Sequence, residues 1–140
     1  MTKLITLSEK IGGLDPAHHP DILVPGRVLV KEGAMRISSK KANLLERAYG
    51  KLWQRTPTHV FLFDGFILVC EEHPESGSQP YTLLQYISLA AVQPPTCHAT
   101  DPRSLKFAAG QECWKMRVST QQARDEWVAA LEHTLELFKS

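Results

Sequence analysis

Two apolar runs separated by an Asp-Gly pair lie near the middle of the chain. The sequence HVFLFDGFILVC covers residues 59–70, with Asp64-Gly65 at its centre. An Asp-Gly pair between β-prone runs is a strong hairpin signal, because both central residues of such a turn need φ > 0. The stretch therefore predicts two antiparallel strands joined at Asp64-Gly65. Asp64 is interpreted as a turn residue rather than a general base, since no His or nucleophile accompanies it.

The segments around this hairpin also carry strand patterns. RVLVKEGAMRIS (residues 27–38) alternates and is rich in apolar and β-branched residues, with a bend expected at Gly33. YTLLQYISLAAVQ (81–93) is divided into two short strands. SLKFAAG (104–110) and CWKMRVS (113–119) form a further pair, in which alternate residues are apolar. Together with the hairpin, these segments predict about seven short strands.

The last section of the chain changes to a helical period. STQQARDEWVAALEHTLELFKS (119–140) opens with Ser119 and Gln122 in a capping-box arrangement, and Asp125-Glu126 lie early, where the helix dipole favours acids. One face of this helix carries Ala123, Trp127, Leu131, Thr134, Leu135 and Phe138. Such a helix can seal the open end of a bent antiparallel sheet, with Trp127 as its largest plug. The predicted fold is mainly β, a seven-stranded bent antiparallel sheet or barrel capped by one C-terminal α-helix.

The first 26 residues are interpreted as a connector. Residues 1–11 have apolar residues near helical spacing, and Gly12-Gly13 end that pattern. The stretch that follows is rich in proline, which restricts the backbone and removes donors. We therefore expect residues 1–26 to lie outside the core and residues 27–140 to form the domain.

Composition limits the class of protein and its location. The chain has 140 residues, 43% of them hydrophobic and 22% charged, which suits one soluble globular domain. No apolar run approaches the roughly 18 residues of a bilayer span, and no secretory pattern opens the chain, so we expect a cytoplasmic protein. Cys70, Cys97 and Cys113 form no CxxC pair, and the histidines have no metal-ligand spacing, so neither a metal nor another cofactor is expected.

Positive charge is concentrated in one segment. Between residues 36 and 55 the net charge is +5, whereas the rest of the chain carries −4. The basic residues of the segment are Arg36, Lys40, Lys41, Arg47, Lys51 and Arg55. Such a cluster is consistent with an anionic membrane, a protein contact or a solvated loop. A nucleic-acid partner is disfavoured, because the basic residues are few and interleaved with leucines.

The order of these segments resembles the pleckstrin homology (PH) domain. The resemblance runs from Val28 to Phe138 and rests on the strand KEGAMRIS (31–38), the hairpin, the paired strands and the final helix with its central Trp127. VPGRVLVKEGAMRIS (24–38) and the hairpin without a basic residue are similar to PH domains that follow the Dbl-homology (DH) domain in Rho-family guanine nucleotide exchange factors. The hairpin especially is similar to that of the Son of sevenless factors.

This resemblance implies a non-catalytic module next to an exchange domain. Residues 2–11 would then be the tail of the last helix of a DH domain. The implied partners are that domain, a small GTPase or another signalling protein, and anionic membrane lipid. The implied roles are to position or regulate exchange and to help recruit the protein to the plasma membrane.

The resemblance also suggests a lipid site in the basic segment. Arg36 matches the family's first-strand basic position, and Lys40 and Lys41 follow it. The second-strand K/R-x-R motif would fall near residues 56–58, where no basic residue stands. We therefore expect weak, salt-sensitive attraction at about 1 kcal/mol per basic residue rather than tight headgroup recognition. The candidate lipid- or anion-binding residues are Arg36, Lys40, Lys41, Lys51 and Arg55, and the candidate structural residues are Gly33, Asp64, Gly65 and Trp127.

A pure interaction module is the alternative hypothesis. In a PH/PTB-like module without lipid binding, a peptide would pair with the edge strand beside the C-terminal helix. An enzyme is disfavoured, since the sequence offers no paired acid and base and no activated nucleophile.

Overall fold

The described part of the chain forms one sheet of eight strands with helices packed against it. In the computed structural model, the described residues are 2–14, 22, 24–41, 58–73 and 79–139. The elements are α1 (Thr2–Lys10), β1 (Ile11–Gly12), β2 (Leu29–Lys41), β3 (Thr58–Phe63), β4 (Phe66–Glu72), β5 (Tyr81–Ser88), a 3₁₀ turn (Leu89–Ala91), β6 (Thr96–Cys97), β7 (Ser104–Ala109), β8 (Glu112–Arg117) and α2 (Gln121–Lys139).

The long strand β2 links the two halves of the sheet. The strand order is β1-β5-β4-β3-β2-β8-β7-β6, and every pair is antiparallel except β1 with β5. Residues 29–35 of β2 pair with β3, whereas residues 36–41 pair with β8. This arrangement confirms the predicted fold class, a mainly β sheet, not closed into a barrel, with one C-terminal helix.

The strand count differs from the prediction in two places. Residues 81–93 do not form two strands, because β5 runs unbroken from Tyr81 to Ser88 and is followed by the 3₁₀ turn. The two-residue strands β1 and β6 were not predicted, because a segment of two residues is too short to show an alternating pattern.

The predicted hairpin is confirmed, but its turn is of another kind. β3 and β4 pair from Thr58 with Glu71 to Leu62 with Ile67. Neither Asp64 nor Gly65 has a positive φ, so the expected turn with φ > 0 at both residues is wrong.

Contacts from other segments hold this turn. The Asp64 N–H donates to Val28 O at 3.1 Å, and the Leu89 N–H donates to Gly65 O at 3.1 Å. Arg27 Nη1 lies 3.2 Å from Asp64 Oδ1. Because these tertiary bonds fix the backbone, the turn does not need the conformation that an isolated Asp-Gly hairpin would adopt.

The main core lies between the inner face of the sheet and α2. Trp127 is 4% exposed, and a Cβ on Gly33 would lie 3.7 Å from its Cζ2 atom. The bend expected at Gly33 is wrong, because Gly33 stays paired with Val60 and the irregularity of β2 lies between Leu29 and Lys31. The indole of Trp127 instead packs over Gly33, at a distance that an added Cβ would meet as an ordinary contact.

The C-terminal helix confirms the predicted element, with corrections at both ends. Thr120 Oγ1 accepts from the Ala123 N–H at 3.0 Å, so Thr120 caps the helix instead of Ser119. Asp125 and its neighbour lie beyond the first turn, which contains no acid. At the other end, Phe138 is 41% exposed, because the helix continues past the sheet that covers its apolar face.

A second core cluster lies on the opposite face of β3 and β4. Its buried members are Leu4, Leu7, Ile11, Ile22, Phe61, Phe63, Phe66, Leu68 and Cys70. The expectation that residues 1–26 lie outside the core is therefore wrong for four of them. β3 and β4 are apolar on both faces, so the outer face also needs a cover, and α1 with β1 provides it. The boundary between residues 26 and 27 stays a prediction.

No helix in the described residues combines the length and apolarity needed to span a bilayer.

Candidate anion-binding surface

Basic side chains occupy the outer face of the sheet where β2, β8 and β7 run side by side. Arg36 of β2 lies directly opposite Arg117 of β8, and Lys115 of β8 lies directly opposite Lys106 of β7. Directly opposite residues share a face, with Cβ atoms about 4.5–5.5 Å apart. We call these four residues the basic face.

The core fixes the direction of these side chains. Ile37, Met116 and Leu105 lie opposite one another on the three strands and are fully buried. Because successive residues of a strand point to opposite faces, burial of Met116 turns Lys115 and Arg117 outward. A shift of one residue in the strand register would bury these charges. The buried row of apolar residues therefore fixes the basic side chains on the outer face.

Asp101 borders the basic face from the loop before β7. Its carboxylate accepts from the Ser104 hydroxyl at 2.7 Å, from the Arg103 N–H at 3.0 Å and from Arg117 Nε at 3.1 Å. The Ser104 hydrogen bond, helped by the positive charges of Arg117 and Lys115, lowers the pKa of Asp101 below its ordinary value. The carboxylate is therefore ionised and already engaged by three donors.

A small open pocket lies at the centre of this surface. Its volume is about 200 Å³. It is lined by Arg36, Ile37, Ser38, Asp101, Lys115 and Arg117. Among the described residues, Arg36, Lys106 and Lys115 have no carboxylate within salt-bridge distance. Like charges directly opposite each other destabilise a sheet, so a bound anion would relieve a cost built into this face.

The predicted lipid-binding residues are only partly brought together. Arg36 belongs to the basic face. The backbones of Lys40 and Lys41 lie at the end of β2, paired with Cys113 and Glu112 of β8. Lys51 and Arg55 lie outside the described residues.

Lys106, Lys115 and Arg117 are not among the binding residues predicted from the sequence. A signal for two of them was available, because the alternation that places Trp114 and Met116 inside places Lys115 and Arg117 outside. Their approach to Arg36 could not be foreseen, since the pairing of β2 with β8 joins residues far apart in the chain.

In the part of the chain that the structure describes, no three His, Cys, Asp or Glu side chains converge in a way that could hold a metal ion.

Comparison with protein families places this arrangement in a known group. The family model described as "SOS1/NGEF-like PH domain" matches residues 25–134. The chain is 20% identical over 140 residues to mouse "FYVE, RhoGEF and PH domain-containing protein 4", a match that covers 99% of this chain and 16% of the relative. It is 26% identical over 138 residues to human "FYVE, RhoGEF and PH domain-containing protein 5", covering 96% of this chain and 8% of the relative. The chain thus spans less than a fifth of these relatives.

Solved structures share the fold. The complex of PDZ-RhoGEF DH/PH domains with GTP-γ-S activated RhoA matches with a TM-score of 0.68 at 15% identity, covering 98% of this chain and 39% of that chain. The N-terminally truncated linker-DH/PH domains of p115-RhoGEF match with a TM-score of 0.67 at 17% identity, covering 96% of this chain and 39% of that chain. At these identities the likeness concerns the fold alone.

Proposed function

This chain belongs to the SOS1/NGEF-like PH domain family, and from that premise we propose that it is the non-catalytic PH module of a Rho-family guanine nucleotide exchange factor. In this role it positions an adjacent DH domain and contacts the anionic cytoplasmic surface of the plasma membrane through the basic face. A small GTPase is the partner of the assembled pair of domains.

The packing of α1 supports the positioning role. Leu4 and Leu7 are buried against the outer face of the sheet, with β1 continuing the contact along β5. An isolated helix of nine residues is marginal in water, so its stability comes from this contact. If α1 is the end of a longer helix from a DH domain, the same contact fixes the direction in which that domain leaves the sheet.

The membrane role rests on a single observation, the two like-charged cross-strand pairs of the basic face. Arg36 with Arg117 and Lys106 with Lys115 place four cations on one exposed sheet surface, beside the carboxylate of Asp101. Each basic residue near an anionic leaflet contributes about 1 kcal/mol. The expected binding is therefore weak alone, sensitive to salt, and useful where a second contact also holds the protein.

Vesicle sedimentation tests the membrane role. We expect the 140-residue chain to sediment with phosphoinositide-bearing vesicles at low salt and to be released as salt is raised. Arg36→Glu should weaken this binding about tenfold, because reversal removes an attraction and adds a repulsion. Lys10→Glu on α1 is the matched control, with the same change of charge away from the basic face. Equal sedimentation with phosphoinositide-bearing and neutral vesicles would exclude the role.

An acidic protein segment is the second candidate partner for the same face. The pocket volume of about 200 Å³ is below the roughly 300–1,000 Å³ of usual small-ligand sites, so it favours a surface contact over an enclosed headgroup. Soluble inositol phosphate should then compete poorly, whereas a poly-glutamate peptide should displace the chain from vesicles and shift the amide resonances of β7 and β8.

A further inference from the structure

A second groove, which shares no lining residue with the basic face, lies between the segment before β6 and the last turns of α2. Its volume is about 340 Å³, within the range of about 300–1,000 Å³ typical of ligand sites. The groove is lined by Pro94, Glu132, Leu135, Glu136 and Lys139.

The floor of this groove is apolar and continues onto exposed helix. Leu135 is 4% exposed, and Phe138 lies three residues further on the same helical stripe with 41% of its surface exposed. Leu137 beside it is 65% exposed. The stripe that seals the core through Trp127 and Leu131 therefore continues beyond the sheet into solvent. These exposed side chains extend the apolar surface next to the groove.

The rim of the groove is acidic. Glu132 and Glu136 are both exposed and lie one helical turn apart, a like-charged spacing that disfavours the helix itself. Lys139 also lines the groove, but its Nζ donates to the Val92 carbonyl oxygen at 2.8 Å. The lysine therefore ties the end of α2 to the sheet, while the two glutamates project charge over the groove.

The strand side of the groove offers no backbone donor for pairing. The Gln93 N–H donates inward to Ala108 O at 2.8 Å, and Pro94 and Pro95 have no N–H. Proline at an edge is a common protection against strand addition. A peptide therefore gains no backbone donor from residues 93–95, and an occupant of this groove must dock through its side chains.

We propose that this groove binds a basic amphipathic polypeptide segment of a partner protein. An apolar side chain of the partner enters between Pro94 and Leu135, and Lys or Arg side chains on either side of it meet Glu132 and Glu136. The charge decides the class of occupant, since an acidic rim repels an anionic membrane and attracts a cationic segment. The site is separate from the basic face, so either proposal can fail without the other.

Titration with designed peptides tests this inference on the 140-residue chain. The probe is a short helical peptide with leucines on one face and lysines on either side of them. We expect its addition to shift the amide resonances of residues 132–139 and of Gln93. A peptide with serine in place of leucine should bind at least about tenfold more weakly, because the apolar anchor is missing. Equal affinity of the two peptides would overturn the proposal, since binding would then be by charge alone.

Charge variants of α2 provide the matched control. Glu132→Lys with Glu136→Lys should weaken binding of the lysine–leucine peptide about tenfold or more, whereas Glu126→Lys, on the same helix but outside the groove, should change it less than about twofold. Circular dichroism establishes that the variants are folded. Sedimentation of the chain with anionic vesicles that is lost in Phe138→Ser would instead identify the groove as a membrane contact and overturn the inference.

Discussion

Trp127 joins the C-terminal helix to the sheet through contacts with Lys31 and Gly33 of β2. Its indole lies over Gly33, and Lys31 Nζ lies 5.4 Å from the ring centroid. Lys31 also lies 3.8 Å from Glu126 on the helix. A cation over an aromatic face adds attraction to the apolar contact. Gly33 and Trp127, two of the candidate structural residues predicted from the sequence, are thus the two sides of one contact.

Trp127→Ala should lower the free energy of unfolding by about 3–5 kcal/mol, because it removes the largest side chain between α2 and the sheet and leaves a cavity. Urea denaturation followed by circular dichroism measures the loss. Gly33→Ala is the control, since its Cβ would lie 3.7 Å from Trp127, an ordinary contact distance, and should change stability by less than about 1 kcal/mol. Similar losses in both variants would contradict the packing described.

Among the elements, β3 and β4 show most clearly how sequence sets the architecture. A strand with alternating apolar and polar residues has one apolar face, which one packed element can bury. These two strands are buried on both faces, so each face requires a packed element. α2 covers one face, and α1 with β1 covers the other. The N-terminal segment is therefore part of the folded unit in the structure, although the family match begins at residue 25.

Substitutions at two residues of α1 distinguish the contribution of packing to stability from that of helix formation. Leu7 is 7% exposed, whereas Ile5 on the same helix is 44% exposed. Leu7→Ala should lower the free energy of unfolding by about 2–3 kcal/mol through the lost contact with the second core cluster. Ile5→Ala should stay within about 0.5 kcal/mol, as surface substitutions usually do. Urea denaturation measures the free energy of unfolding of the two variants. Equal losses would mean that α1 does not depend on its packing against the sheet.

At the scale of the whole molecule, local signals predicted more than long-range ones. The β3–β4 hairpin and α2 depend on neighbouring residues, so HVFLFDGFILVC and the Trp127 stripe predicted them directly. The helix cap was displaced by one residue, to Thr120, because Ser119 and Thr120 are both good caps. Burial of Leu4 and the pairing of Arg36 with Arg117 arise from contacts between distant segments, which no short pattern contains. The family resemblance, confirmed by the matching family model, identified the PH domain, which the patterns alone did not.

The reactivity of the Cys70 thiol tests whether the N-terminal segment belongs to the folded unit. It is fully buried in the second core cluster, and burial raises the pKa of its thiol to about 12. At pH 8 only roughly one molecule in 10,000 would carry the reactive thiolate, so Cys70 should resist a thiol reagent in the intact chain. Cys97 and Cys113 are exposed and would react, so both are changed to serine for this measurement.

Removing residues 1–24 should make Cys70 reactive under native conditions, because α1, β1 and Ile22 no longer cover it. As the pKa of the uncovered thiol falls toward its ordinary value, the rate of reaction with Ellman's reagent at pH 8 should rise by at least about 100-fold. Circular dichroism of α2 distinguishes local uncovering from global unfolding, and either result would make residues 1–24 part of the fold. An unchanged rate in a folded variant would instead restore the interpretation of this segment as a separable connector, with the domain starting near residue 27.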